Sequence, residues 1–132
     1  MAVELPEQVG SFLRRPNPAV MAVVRQDGRP LSVATWYLYV DGEILVNLQA
    51  DRARARHLHP SAPVSLTVLA DGDWYRHVSL WGRVREVVPD EGYADADRLS
   101  DYYAGVPHTP RGADRISVRI GIDGWHGWRV GD

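Results

Sequence analysis

The apolar positions of the chain begin at helical spacing. Leu5, Val9, Phe12 and Leu13, with Pro6 placed for a first helical turn, predict a short amphipathic helix that ends near Arg14-Arg15-Pro16. From Ala19 the period changes. Residues 19–24 (AVMAVV) read as a buried strand, Gln26-Asp27-Gly28-Arg29 as a turn with an Asp-Gly signal, and 31–40 as a second, long strand, which makes the pair a hairpin. Asp41-Gly42 forms the next tight turn and 43–48 the third strand. Three antiparallel strands thus precede any sizeable helix, a meander typical of barrels and sandwiches.

Asp51 then reads as the N-cap of a helix over 52–59 that carries Arg52, Arg54 and Arg56. Residues 63–69 give a fourth strand and 75–87 a fifth, separated by the turn Asp71-Gly72-Asp73. The fifth alternates, with Val78, Leu80, Gly82 and Val84 on one face and His77, Ser79, Trp81, Arg83 and Arg85 on the face turned to solvent or a partner. A helix from Pro89-Asp90-Glu91 runs through Tyr93, Ala96, Leu99 and Tyr103 and stops at Gly105 and Pro107, followed by a mobile loop to Gly112. Ile116, Val118, Ile120 and Ile122 alternate with Ser117 and Arg119 in a final strand, and Trp125-His126-Gly127-Trp128 closes the pattern. The sum is a mainly β chain: six antiparallel strands, with one helix between the third and fourth and another between the fifth and sixth, forming a small barrel whose helices cover its open ends.

With 132 residues and 45% hydrophobic content there is room for one core, so a single domain over 1–132 is expected. A net charge of −2 spreads acids among the arginines, which argues against a nucleic-acid partner and points to a small anion if any is bound. The first residues show no cationic stretch followed by an apolar one, and no apolar run approaches the ~20 residues of a membrane helix. A soluble, cytoplasmic protein with no membrane partner is therefore expected. The chain has no cysteine, and all 15 of its Lys+Arg residues are arginine. Thiolate nucleophiles, disulfides, cysteine metal sites and lysine Schiff bases are excluded, and phosphate recognition falls to arginine.

Candidate chemistry concentrates in 47–58 (NLQADRARARHL), a strand running into an arginine-studded helix start. Free backbone N–H groups, the helix dipole and guanidinium groups together make a phosphate seat. The competing reading is a solvated charged helix face. His57 and His59 diverge on a helix and lack a cysteine companion, so no metal site is assigned. Trp125, Trp128, Tyr37, Tyr39, Tyr102 and Tyr103 are read as core or interface packing. No Ser-His-Asp or paired-carboxylate constellation is present, and no catalytic side chain is assigned.

The order of elements, together with PLSVATWY at 30–37, ILVN at 44–47, RARHL at 54–58, YRHV at 75–78 and GRV at 82–84, resembles the pyridoxamine 5'-phosphate oxidase-like family, the FMN-binding type of split barrel. Within it the flavin/deazaflavin, coenzyme F420-dependent oxidoreductase branch is the most similar, and the likeness runs over roughly 5–128. It implies a homodimer whose interface groove holds the cofactor, with the phosphate at the helix after the third strand. Arg54 falls at the family's phosphate-binding Lys or Arg, four residues before Leu58, with Arg52 close by. Asn47, Leu48 and Gln49 match the strand end that borders the ring and ribityl chain, and Thr35 and Trp36 the ring-facing edge of the neighbouring strand. His77 matches a polar contact supplied by the other subunit, whereas from the residues alone it is as well an exposed strand histidine. The basic substrate-phosphate residues and extended C-terminal segment of a true pyridoxamine phosphate oxidase have no match, so vitamin B6 oxidation is not implied. The resemblance implies hydride transfer from reduced F420 to an electron-poor double bond of a small planar substrate, the cofactor carrying the chemistry. Alternatives are an FMN-dependent reductase or oxidase of the same fold, and a non-catalytic carrier of flavin or haem with His126 as a candidate ligand.

Overall fold

In the computed structural model, which describes residues 3–130, the apolar stripe of the first helix forms as α1 (Glu7–Leu13) and buries Val9, Phe12 and Leu13. Residues 1, 2, 131 and 132, included in the single domain expected over 1–132, lie outside the described residues. The strands that follow are β1 (Ala19–Val24), β2 (Pro30–Thr35), β3 (Leu38–Val40), β4 (Glu43–Gln49), β5 (Pro63–Ala70), β6 (Asp73–Pro89) and β7 (Arg115–Trp128). They form one sheet in the order β2-β1-β5-β6-β7-β4-β3, antiparallel at every pairing.

Seven strands stand where six are expected, because the strand predicted over 31–40 is two. β2 pairs with β1, and β3 pairs with β4, at opposite edges of the sheet. The chain crosses from one edge to the other at Trp36-Tyr37, so the first strands are not a continuous meander and the barrel is split there. The Asp-Gly turns do form the hairpins expected of them, with Gly28 at φ 85° and Asp41-Gly42 at φ 54° and 75°.

Alternate residues of the strands fill the barrel: Met21 and Val23 of β1, Ile44, Val46 and Leu48 of β4, Leu66 and Val68 of β5, Val78, Leu80 and Val84 of β6, and Val118, Ile120 and Ile122 of β7. Tyr37, at the crossing, is fully buried, and its hydroxyl donates to the Leu13 carbonyl at 2.8 Å, tying α1 to the split. A smaller cluster of Leu38, Leu45 and Leu99 lies under α2 (Ala94–Ala104). β6 is 17 residues long and shifts register against β7 between Trp81 and Gly82. A Cβ on Gly82 would lie 1.7 Å from the Gly121 carbonyl oxygen, so only glycine allows the two strands to approach there.

The helix expected over 52–59 is a single 3-10 turn, Ala53–His57, and Asp51 is not its N-cap; Arg52 takes that position, with no side-chain cap bond. Only Ala55 and Leu58 supply an apolar face, and Pro60 closes the segment, so there is too little burial to sustain a longer helix. With one short turn, the dipole contributes little to the phosphate-seat argument, which passes to the arginine side chains. At α2 the accounting is different: Asp90 accepts from the backbone N–H groups of Asp95 and Ala96 at 3.0 and 2.9 Å, satisfying donors the helix start leaves open.

Candidate cofactor cleft

A cleft of about 620 Å³ opens where the sheet splits, a volume within the usual range for small-molecule sites. Pro16, Pro18 and Ala19 form the approach to β1, and Ala34, Thr35 and Trp36 the end of β2. Asn47 of β4, Arg54 of the 3-10 turn, Arg115 of β7, Tyr103 of α2 and Asp71 of the β5–β6 hairpin complete it.

One wall is aromatic. Trp36, 42% exposed, stacks on Tyr103 with ring centroids 5.1 Å apart and planes 4° from parallel. Tyr103 is fixed from behind: its hydroxyl donates to the Asn17 carbonyl at 2.8 Å and accepts from the Tyr37 N–H at 3.4 Å. Burial pushes the Tyr103 hydroxyl well above its ordinary range, so it remains a neutral donor. The exposed indole face offers a flat apolar surface to a planar ring.

The other distinctive group is cationic. The Nε of Arg54 is buried and has no hydrogen-bond partner. Burial lowers the Arg54 pKa, and the neighbouring charges of Arg52 and Arg115 lower it further. Arg115 is likewise lowered mainly by burial, and its Nε donates to Asn47 Oδ1 at 2.6 Å. Guanidinium groups keep their charge throughout this range. Like charges gathered around an unpaired buried donor are costly unless an anion completes them, and a phosphate accepts from such groups in pairs.

Four of the residues expected at a cofactor line this cleft: Thr35, Trp36, Asn47 and Arg54. Thr35 turns its hydroxyl to the Trp36 carbonyl at 2.9 Å. The other four do not line it. Leu48 is 1% exposed and points into the barrel, since the period of β4 sends Asn47 and Leu48 to opposite faces. Gln49 and Arg52 pair at 3.2 Å outside the cleft lining, with Arg52 exposed. His77 lies on the outer face of β6, its Nδ1 3.0 Å from the Tyr75 carbonyl and its ring 6.0 Å from that of His126. His126 is therefore on that outer face too.

Arg115, Tyr103 and Asp71 enter the cleft without having been singled out for it. Arg115 sits opposite Gln49 in the β4–β7 pairing, a long-range register that no local pattern carries. The loop expected to be mobile up to Gly112 is pinned: Arg111 grips Asp97 at 2.8 and 3.4 Å, and the His108 N–H donates to Asp97 at 2.9 Å. The Tyr93 hydroxyl donates to the Ala113 carbonyl and accepts from the Gly112 N–H. Among the described residues, no group of three or more His, Cys, Asp or Glu is arranged to hold a metal ion, and no helix is long and apolar enough to cross a membrane.

Known proteins share this fold. The pyridoxamine 5'-phosphate oxidase family model matches residues 5–129. Among solved structures, an F420 reductase is 28% identical over 92% of this chain and 98% of its own, with a TM-score of 0.80. A conserved hypothetical protein from Mycobacterium tuberculosis is 25% identical over 96% of this chain and 86% of its own, with a TM-score of 0.72. A FAD and heme binding protein from Mycobacterium smegmatis, 21% identical over 98% of this chain and 73% of its own, has a TM-score of 0.69 and shares the fold. No curated protein sequence matches. A sheet divided between β2 and β3, matched along nearly its whole length by one family, makes this chain a member of the pyridoxamine 5'-phosphate oxidase family of split-barrel proteins.

Proposed function

We propose that the protein is an oxidoreductase that binds coenzyme F420 in the cleft at the split and delivers a hydride to an electron-poor double bond of a small planar substrate. The observation that carries this reading is the buried, unpartnered Nε of Arg54, with Arg115 lining the same cleft and the Trp36–Tyr103 wall beside them. That combination fits a ligand with both a flat ring and a phosphate. Likeness to an F420 reductase over nearly the whole of both chains favours the deazaflavin among such ligands. FMN is the second reading, because it carries the same ring shape and a phosphate that Arg54 does not tell apart.

When bound, reduced F420 supplies the hydride. The chain's own part is positional. Arg54 and Arg115 would hold the phosphate, Trp36 backed by Tyr103 would present a flat face to the ring, and Asp71 is the one carboxylate among the residues of the lining. Hydride addition to one end of the double bond leaves an anion at the other, and the proton that completes the reduction would come from solvent through the open cleft, so no residue of the lining is assigned as its donor in this reading.

A homodimer is part of the proposal. The outer sheet face carries Trp81 at 49% exposure, with Val20 and Val24 exposed on β1 and His77, Ser79 and Arg83 along β6. Trp81 lies flat over Gly124, where a Cβ would meet the indole at 2.5 Å. A second copy on this face would bury these groups and could bring His77 to its mate's cleft, which His77 does not reach within its own chain.

The test is turnover. Quinones, unsaturated lactones and tetrapyrroles are offered as acceptors with reduced F420, and its reoxidation is followed by absorbance in air and without oxygen. Acceptor-dependent, oxygen-independent reoxidation is expected. Tight F420 binding with no acceptor used would refute the enzyme reading and leave a carrier.

A further inference from the structure

Asn47 borders the cleft at the end of β4, a position that suggests direct contact with a ligand. Its hydrogen bonds assign it differently. The Ser117 hydroxyl spends its proton on Asp95 Oδ2 at 2.7 Å, so toward Asn47 it can only accept, and the Asp90 carboxylate can only accept. Both protons of the Asn47 amide are therefore committed, to Asp90 at 2.9 Å and to Ser117 at 3.1 Å. That fixes the orientation of the amide and leaves Oδ1 facing Arg115, whose Nε reaches it at 2.6 Å. Arg115 makes a second, longer bond from Nη2 to the Asn47 carbonyl at 3.4 Å.

The partners that hold Asn47 are themselves fixed. Asp90 is buried and anchored by the first N–H groups of α2, and Ser117 is buried on β7. With its Nε and one Nη2 proton engaged, the Arg115 guanidinium has further N–H groups to offer, and it lines the same cleft as Arg54.

We propose that Asn47 is a positioning residue, which touches no ligand but aims the Arg115 guanidinium into the cleft, and that Arg115 is the second arginine of the anion seat beside Arg54. This rests on reading the cleft as a phosphate seat. An arginine held in place before binding loses less freedom when a phosphate arrives, so Asn47 contributes to affinity through Arg115 alone.

The test uses Asn47→Leu, similar in shape but without the amide. In ligand-free protein, nuclear magnetic resonance should show the Arg115 Nε–H as a protected, slowly exchanging signal, lost in Asn47→Leu. F420 and FMN, each compared with its phosphate-free chromophore, should bind about tenfold more weakly to Asn47→Leu only where the phosphate is present. An unchanged Nε–H signal in Asn47→Leu overturns the proposal. So does an equal loss for ligands with and without phosphate, since the side chain would then be touching the ring. If Asn47→Leu does not fold, Ser117→Ala loosens the same clamp and should give the same signature at smaller size; no change in signal or affinity there overturns it. Arg54→Ala reports on the seat separately. Were neither phosphate ligand to bind the wild type, the seat reading would fail while the Nε–H signal still decided the role of Asn47.

Discussion

Arg54→Met should stabilise the ligand-free protein and weaken it as a cofactor binder. Methionine keeps an unbranched apolar stem and removes the guanidinium. In the folded chain the Arg54 Nε is buried without a partner, and Arg52 and Arg115 add like charge around it. An unsatisfied buried donor costs about 1–3 kcal/mol. Arg54 is only half-buried as a residue, so the lower end applies, and the variant should regain about 1 kcal/mol, or about 3–5 °C in Tm for a chain of this size. With ligand the sign reverses, because removing a charge-assisted phosphate partner from a partly desolvated seat costs about 2–3 kcal/mol, roughly 30- to 150-fold in Kd. Thermal unfolding with and without F420 or FMN, and equilibrium titration of both proteins, measure the two effects. Arg98→Met on the exposed face of α2 is the control and should change neither. The order of stabilities of wild type and Arg54→Met should invert when ligand is added. A ligand-free variant less stable than wild type, or one that binds equally well, would refute the reasoning.

Gly82→Ala should lose more than about 3 kcal/mol of stability in a urea titration, because its Cβ would overlap the Gly121 carbonyl where β6 and β7 shift register; a loss under 1 kcal/mol would show that the strands can part there. The Arg111 hydrogen bond and the His108 N–H hold the Asp97 carboxyl below its ordinary value of about 4, so the pin on the 105–112 loop is intact above that value and is lost as pH falls from there through the depressed one. Hydrogen exchange in the loop should accelerate over that acid window, and in Asp97→Asn it should already be fast at neutral pH; slow exchange in the variant would mean that other contacts hold the loop. Trp81→Glu should sediment as a folded monomer with reduced F420 affinity, whereas a wild type that is monomeric at micromolar concentration and binds fully would remove the shared-site dimer.

Much of the fold is legible from local pattern because hairpins are local objects. The Asp-Gly turns at 27–28 and 41–42, the alternation of β6 and the glycine that ends α2 each show in a few neighbouring residues. The split at Trp36-Tyr37 does not, since the apolar run WYLYV at 36–40 carries on through it without glycine or proline, and only the pairing of its two halves with opposite edges of the sheet divides it. For the site, Arg54 and Trp36 were readable from residue type and family order. Leu48 was not excluded, although its strand period sends it into the core once Asn47 faces outward. Arg115 and Tyr103 depend on β4–β7 register and on the docking of α2, contacts between residues far apart in sequence. The arginine-rich segment shows a local signal overstating structure: Asp51 reads as the N-cap of a helix over 52–59, but the buried surface supports one 3-10 turn.

The central claim is that the cleft recognises a ring and a phosphate together. Its most direct test is equilibrium titration of the wild-type protein with F420 and FMN, each alongside its phosphate-free chromophore, followed by fluorescence at fixed ionic strength. We expect F420 to bind, and its affinity to exceed that of its phosphate-free form by at least tenfold, with the preference lost in Arg54→Met. Tighter binding of FMN than F420 would keep the seat and change the cofactor; equal affinity with and without phosphate, or no binding of either, would contradict the account.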